Sequence, residues 1–192
     1  MKHLAHESPI IIVTGNSEKA AEIENMTGWG FQAVDLRIPE IQSLDVVEVA
    51  AEKALSAYIS LRRPVVVDDT GLYIEALGGL PGALVTWFLD RLGPNGILDL
   101  IRFTSDRRAT VSTCLAIASA VGVKTFVGTI QGHLADRPRG TGGFGYDSIF
   151  IPNSHSKTYA EMDPSERVSC SMRMIALSKL KSHLDGFAPG DL

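Results

Sequence analysis

The chain has 192 residues, a formal charge of −4, and 45% hydrophobic and 21% charged residues, the profile of one soluble domain able to bury its own core. That charge argues against bulk binding to nucleic acid or an anionic membrane, though a small basic pocket for a phosphorylated metabolite stays open. Cys114 and Cys170 form no metal-type or disulfide pattern, the first eight residues lack an apolar signal core, and no apolar run reaches membrane-spanning length, so a cytoplasmic enzyme is expected.

In chain order, residues 9–13 form a short apolar strand running into Thr14-Gly-Asn-Ser17, a turn rich in helix-capping residues. A helix is expected over 18–26, then an alternating strand over 31–36. Apolar residues at Val46, Val49, Ala50, Ala54, Ala57 and Tyr58 space out a helix over 45–62. Val65-Val-Val67 reads as a buried strand that ends in Asp68 and Asp69, with Thr70-Gly71 as a turn. The β-α-β-α-β alternation predicts an α/β fold. A further strand is expected over 72–77 and short helices over 84–92 and 97–103. Residues 109–118 and 124–133 read as antiparallel strands, which makes the sheet mixed. A loop over 137–145, a strand over 147–151 and a helix over 171–184 complete the domain, with residues 1–8 and 186–192 as loose tails.

Four groups of residues could carry chemistry. Asp68 and Asp69 at a strand end suit a divalent cation such as Mg²⁺, which takes hard oxygen ligands; the alternative is that both face water. Thr14-Gly-Asn-Ser-Glu-Lys19 offers free N–H groups, a helix dipole and an ammonium to phosphate, or is merely a capped helix start. Gly140-Thr-Gly-Gly-Phe-Gly145 matches a dinucleotide fingerprint literally, yet it precedes a strand rather than opening a helix. It suits close approach of a planar group, with Phe144 or Tyr146 to stack and Asp147 to accept a hydrogen bond, or a hairpin corner. Arg167 and Arg173 could read oxygens or form a solvated face, and Glu40 could join Asp69 on a metal or be a surface acid.

Together these segments resemble the inosine triphosphate pyrophosphatase family, from Val13 to about Leu180 and in the family's order. The resemblance rests on Thr14-Gly-Asn-x-x-Lys19 with Glu22, Asp68-Asp-Thr-Gly-Leu72, and Ala76-Leu-Gly-Gly-Leu-Pro-Gly82 followed by Trp87-Phe-Leu89. Gly143-Phe-Gly-Tyr-Asp147, Thr158-Tyr-Ala-Glu-Met162 and Ser171-x-Arg173 complete it. It implies a homodimeric α/β protein, a single domain with a long mixed central sheet flanked by helices. It also implies Mg²⁺-dependent hydrolysis of ITP, dITP and XTP to the monophosphate and pyrophosphate. By matching position, Thr14, Gly15, Asn16, Lys19, Lys53 and Thr70 would hold the triphosphate. Glu40 and Asp69, with Asp68 beside them, would hold the metal, and Asp69 would take the proton of the attacking water. Phe144, Gly145, Tyr146 and Asp147 would form the base pocket, with Arg167, Met172 and Arg173 across it.

Three positions depart from the family's pattern. Arg167 stands where lysine is usual, Met172 where histidine is usual, and Thr86 where some members carry lysine. The phosphate and metal machinery is intact and the base-reading edge is altered. A pyrophosphatase for other modified nucleotides, of the Maf-like kind, and a non-catalytic nucleotide-binding module are therefore the rival readings.

Overall fold

The computed structural model describes residues 10–14 and 30–186. The anticipated helix over 18–26, Gly15, Asn16, Lys19 and the anticipated loose tails, apart from Gly186, lie outside them. The fold is α/β: one seven-stranded mixed sheet with helices on both faces.

Strand β1 (Ile10–Val13) lies between β2 (Phe31–Val34) and β3 (Val65–Ile74), parallel to both. Parallel strands need a crossover, and helix α1 (Val46–Leu61) supplies the one from β2 to β3. Asp45 caps α1 by accepting the Val47 N–H, and Arg62 closes it in the left-handed conformation. The other half of the sheet is antiparallel, with β5 (Arg108–Ser119), β6 (Gly122–Leu134) and β7 (Phe150–Pro152) following β3 in that order. The long β5–β6 hairpin is the one expected from the two apolar runs.

The chain does not turn at Thr70-Gly71. All ten residues of β3 pair with β5, from Val65 opposite Ala118 to Ile74 opposite Ala109, and the unbroken ladder overrides the local turn signal. The strand expected over 72–77 stops at Ile74 and gives way to a 3₁₀ turn, Glu75–Leu77. On its other edge β3 pairs with β1 only over Val65–Val67, and with the two-residue β4 (Pro81–Gly82) at Leu72 and Tyr73. Among the described residues, Asp68–Gly71 therefore have a strand partner on one side only. This one-sided stretch begins where β1 ends, the usual place for a ligand in an open α/β sheet.

The two short helices expected around Gly93 are the two halves of α2 (Val85–Leu100), broken where Gly93 takes φ 65° and Pro94 starts the second half. Residues 146–149 form a turn rather than the start of a strand, with the Ile149 and Phe150 N–H groups both donating to the Tyr146 carbonyl. Helix α3 (Pro164–Ser169) was not anticipated, although Asp163-Pro-Ser-Glu166 spells out a capping box with proline at the first position. Ser171 caps the last helix, α4 (Met172–Leu184).

Side chains alternate across β3. Val65 and Val67 pack on the alanine stripe of α1, whereas Val66 packs with Leu177 and Leu180 of α4. Leu72 and Ile74, on the α4 face, join α2 and the β7 region in a second core.

Candidate active site

The same alternation separates the two acids. Asp68 points to the α4 face and Asp69 to the α1 face. Asp68 accepts hydrogen bonds from Arg173 at the start of α4, from Nε at 2.8 Å and from Nη2 at 3.5 Å, and its carboxylate is 4% exposed. A guanidinium fork on a buried carboxylate neutralises it. The structure therefore does not bring Asp68 to Asp69, and both of its oxygens already face Arg173.

Asp69 stands differently. Its Oδ1 accepts the Thr70 N–H at 2.8 Å, and its buried Oδ2 has no hydrogen-bond partner among the described residues. Burial pushes its carboxyl up from 3.8 to about 6, against the pull of the Lys53 charge and the Thr70 N–H, with the Glu40 charge adding to the rise. Lys53 comes from the middle of α1 and donates to Glu40 Oε1 at 2.5 Å. Two acids and a lysine from three separate segments thus face one another beside the unpaired stretch of β3.

The orphaned Oδ2 makes this set fit a divalent cation. A buried carboxylate oxygen without a donor is costly unless a cation meets it. Among the described residues no group of three or more His, Cys, Asp or Glu is arranged to hold a metal ion. Two carboxylates suffice for Mg²⁺, which keeps waters and substrate phosphates as its other ligands. Of the residues expected to hold the triphosphate, Gly15, Asn16 and Lys19 lie outside the described ones; the Thr14 N–H donates to the Val34 carbonyl at 3.0 Å, holding the end of β1 against β2. Thr70, on the α4 face, lies 3.4 Å from the Thr113 hydroxyl.

On the far side of β3, α3 and the start of α4 enclose a cavity of about 210 Å³ lined by Tyr159, Arg167, Met172 and Arg173 among others. Arg167 Nη2 donates to Asp147 Oδ2 at 2.6 Å, and the Phe144 N–H donates to the same oxygen at 2.9 Å. Glycine at 143 and 145 permits positive φ, 71° and 62°, which wraps the loop around that carboxylate. Phe144 is 66% exposed and free to stack, whereas Tyr146 is buried in the core edge-on to Phe150. Met172 faces both ways: it is 9% exposed within the core and also lines the cavity. Thr86 and Trp87 are exposed on α2.

Two tyrosines escaped the sequence reading. Tyr159, fully buried, donates its hydroxyl to the Cys170 carbonyl at 2.7 Å and so ties the cavity floor together. Tyr73 shares Asp69's face, and only the strand's continuation past Gly71 could have revealed that.

The sequence profile of the Ham1 family matches residues 10–183. The chain belongs to the Ham1 family. This Ham1 chain is 39% identical over 183 residues to the dITP/XTP pyrophosphatase of Hyperthermus butylicus, covering 94% of this chain and 96% of the relative. It is 43% identical over 179 residues to inosine triphosphate pyrophosphatase 2 of Trypanosoma cruzi, covering 91% of each. The Staphylococcus aureus Ham1 protein superposes with a TM-score of 0.84 at 28% identity, covering 92% of this chain and 98% of that structure.

Proposed function

We propose that this Ham1 chain hydrolyses deaminated purine nucleoside triphosphates (ITP, dITP and XTP) to the monophosphate and pyrophosphate, cleaning the nucleotide pool. Support comes from relatives of that activity spanning nearly the whole chain. The single structural observation behind it is Asp69, buried with an unpartnered oxygen, facing Lys53 and Glu40.

In this reading the triphosphate's charge is the main obstacle. Lys53 and Lys19, with Thr14, Gly15 and Asn16 beside them, neutralise it so that water can approach the α-phosphorus. Glu40 and Asp69 would hold Mg²⁺, which would supply positive charge to the phosphate oxygens and the leaving pyrophosphate. Asp69 orients the attacking water and accepts its proton. A carboxyl titrating near 6 is ionised at neutral pH and more basic than an exposed aspartate. Phe144 stacks on the base, and Arg167 with Asp147 presents donors and an acceptor to its edge. Arg173 braces β3 from the base side through Asp68. A 6-carbonyl suits a donor that adenine's amine would repel.

The chain works as a single domain, as a cytoplasmic homodimer. The test is a panel of ITP, dITP, XTP, ATP, GTP and modified pyrimidine triphosphates assayed with Mg²⁺ for pyrophosphate release. Initial formation of a diphosphate and free phosphate would place attack at the γ-phosphorus and overturn the reaction. A preference for modified pyrimidines would overturn the substrate class.

A further inference from the structure

Tyr73 lies on the α1 face of β3, two pleats beyond Asp69. Its ring folds back over Gly71: a Cβ at 71 would sit 2.8 Å from Tyr73 Cε2 and 3.1 Å from its hydroxyl oxygen. Glycine at 71 thus leaves the ring its place, which explains a glycine in mid-strand where no turn is made. The hydroxyl accepts the Val46 N–H, the first of helix α1, at 3.0 Å. Burial raises the phenol above its ordinary value, against the pull of the Val46 N–H.

That bond ties the start of α1 to the strand that carries Asp69. The helix needs such a tie because the centre of its buried stripe is Ala50, Ala54 and Ala57, all fully buried. Alanines let a helix sit close to a sheet but present no long ridge to interlock, so they resist axial sliding weakly. Lys53 is seven residues after Val46, on the same helix face and about 10 Å along the axis. Any slide or tilt at Val46 is carried to Lys53, whose ammonium meets Glu40 Oε1 at 2.5 Å and whose charge acts on Asp69.

We propose that Tyr73 is a positioning residue: through Val46 it sets where α1 stands on β3, and so where Lys53 meets a bound polyphosphate. The proposal rests on the reading of Lys53, Glu40 and Asp69 given above. A merely structural Tyr73 would stabilise the fold and do nothing through Lys53, and a double-mutant cycle separates the two. Inorganic tripolyphosphate is the probe, its Kd read by calorimetry in the full chain as wild type, Tyr73→Phe, Lys53→Met and the double variant.

Tyr73→Phe is expected to weaken binding measurably and by no more than about tenfold, the ceiling set by one neutral hydrogen bond, and to have no further effect once Lys53 is methionine. Equal losses in both backgrounds, or no loss in either, overturn the role. Should Tyr73→Phe fail to fold, Gly71→Ala displaces the ring instead and is held to the same two outcomes. Failure of the functional reading shows elsewhere: wild type then leaves tripolyphosphate unbound, or binds it and releases no pyrophosphate from dITP.

Discussion

Asp68 and Asp69 are covalent neighbours whose carboxylates face opposite sides of one strand, Asp68 held at 2.8 Å by Arg173 and Asp69 facing Lys53 and Glu40. One acid is spent on joining α4 to the sheet, and the other keeps an oxygen that no described residue hydrogen-bonds. Their substitutions should therefore have unlike consequences.

In the proposed mechanism Asp69→Asn removes a metal-facing oxygen and the base while keeping the shape. We expect kcat for dITP to fall at least a hundredfold, about 2.7 kcal/mol of barrier, with an unchanged circular dichroism spectrum. A rate within threefold of wild type would remove Asp69 from the mechanism.

The same substitution should stabilise the metal-free protein. The folded chain holds the Asp69 proton up to about pH 6, whereas the unfolded chain releases it near 3.8. Between those values the folded state binds more protons, so this group's effect on stability is least harmful at low pH and worsens as pH rises through 6. The stability difference, Asp69→Asn minus wild type in chelator, should grow by on the order of 2–3 kcal/mol from pH 4 to pH 8. Urea melts at the two pH values measure it, and a difference that shrinks with pH would contradict the burial of an unpaired carboxylate.

Asp68→Asn should do the reverse. It leaves the Arg173 guanidinium, whose side chain is 16% exposed, without its counter-charge, and breaking such a pair costs about 3 kcal/mol. Mg²⁺ affinity, read from the metal dependence of Tm, should stay within about twofold of wild type, well under 1 kcal/mol. A large loss of metal affinity with little loss of stability would mean that Asp68 belongs to the metal site.

Met172 lines the base-side cavity with its sulfur 4.0 Å from the Tyr159 hydroxyl, and a thioether offers the base no donor. Met172→His should raise the ratio of kcat/KM for ITP over GTP about threefold to tenfold, one added hydrogen bond. It should also lower Tm, since a polar ring replaces an apolar chain in the core. A lower Tm with an unchanged ratio would assign Met172 to packing alone.

Much of this was legible in the chain. The β-branched run Val65–Val67, the spacing of Val46 to Ala57 and the two long runs of β5 and β6 are local patterns, and they lead to a mixed α/β sheet because periodicity reflects burial directly. The acids, the glycine loop and the two arginines were also visible as residue types that suit a nucleotide, and Lys53 entered only through the family resemblance. Side-chain partnership was not. Whether Thr70-Gly71 turns or continues depends on β5, more than forty residues away, which supplies the ladder. Only that continuation puts Asp68 and Asp69 on opposite faces, gives Arg173 to Asp68, and lays Tyr73 over Gly71 against Val46. Local sequence determined the elements and the stock of charges. The pleat and the pairing of distant strands decided which charge is neutralised in the fold and which is left open to a ligand.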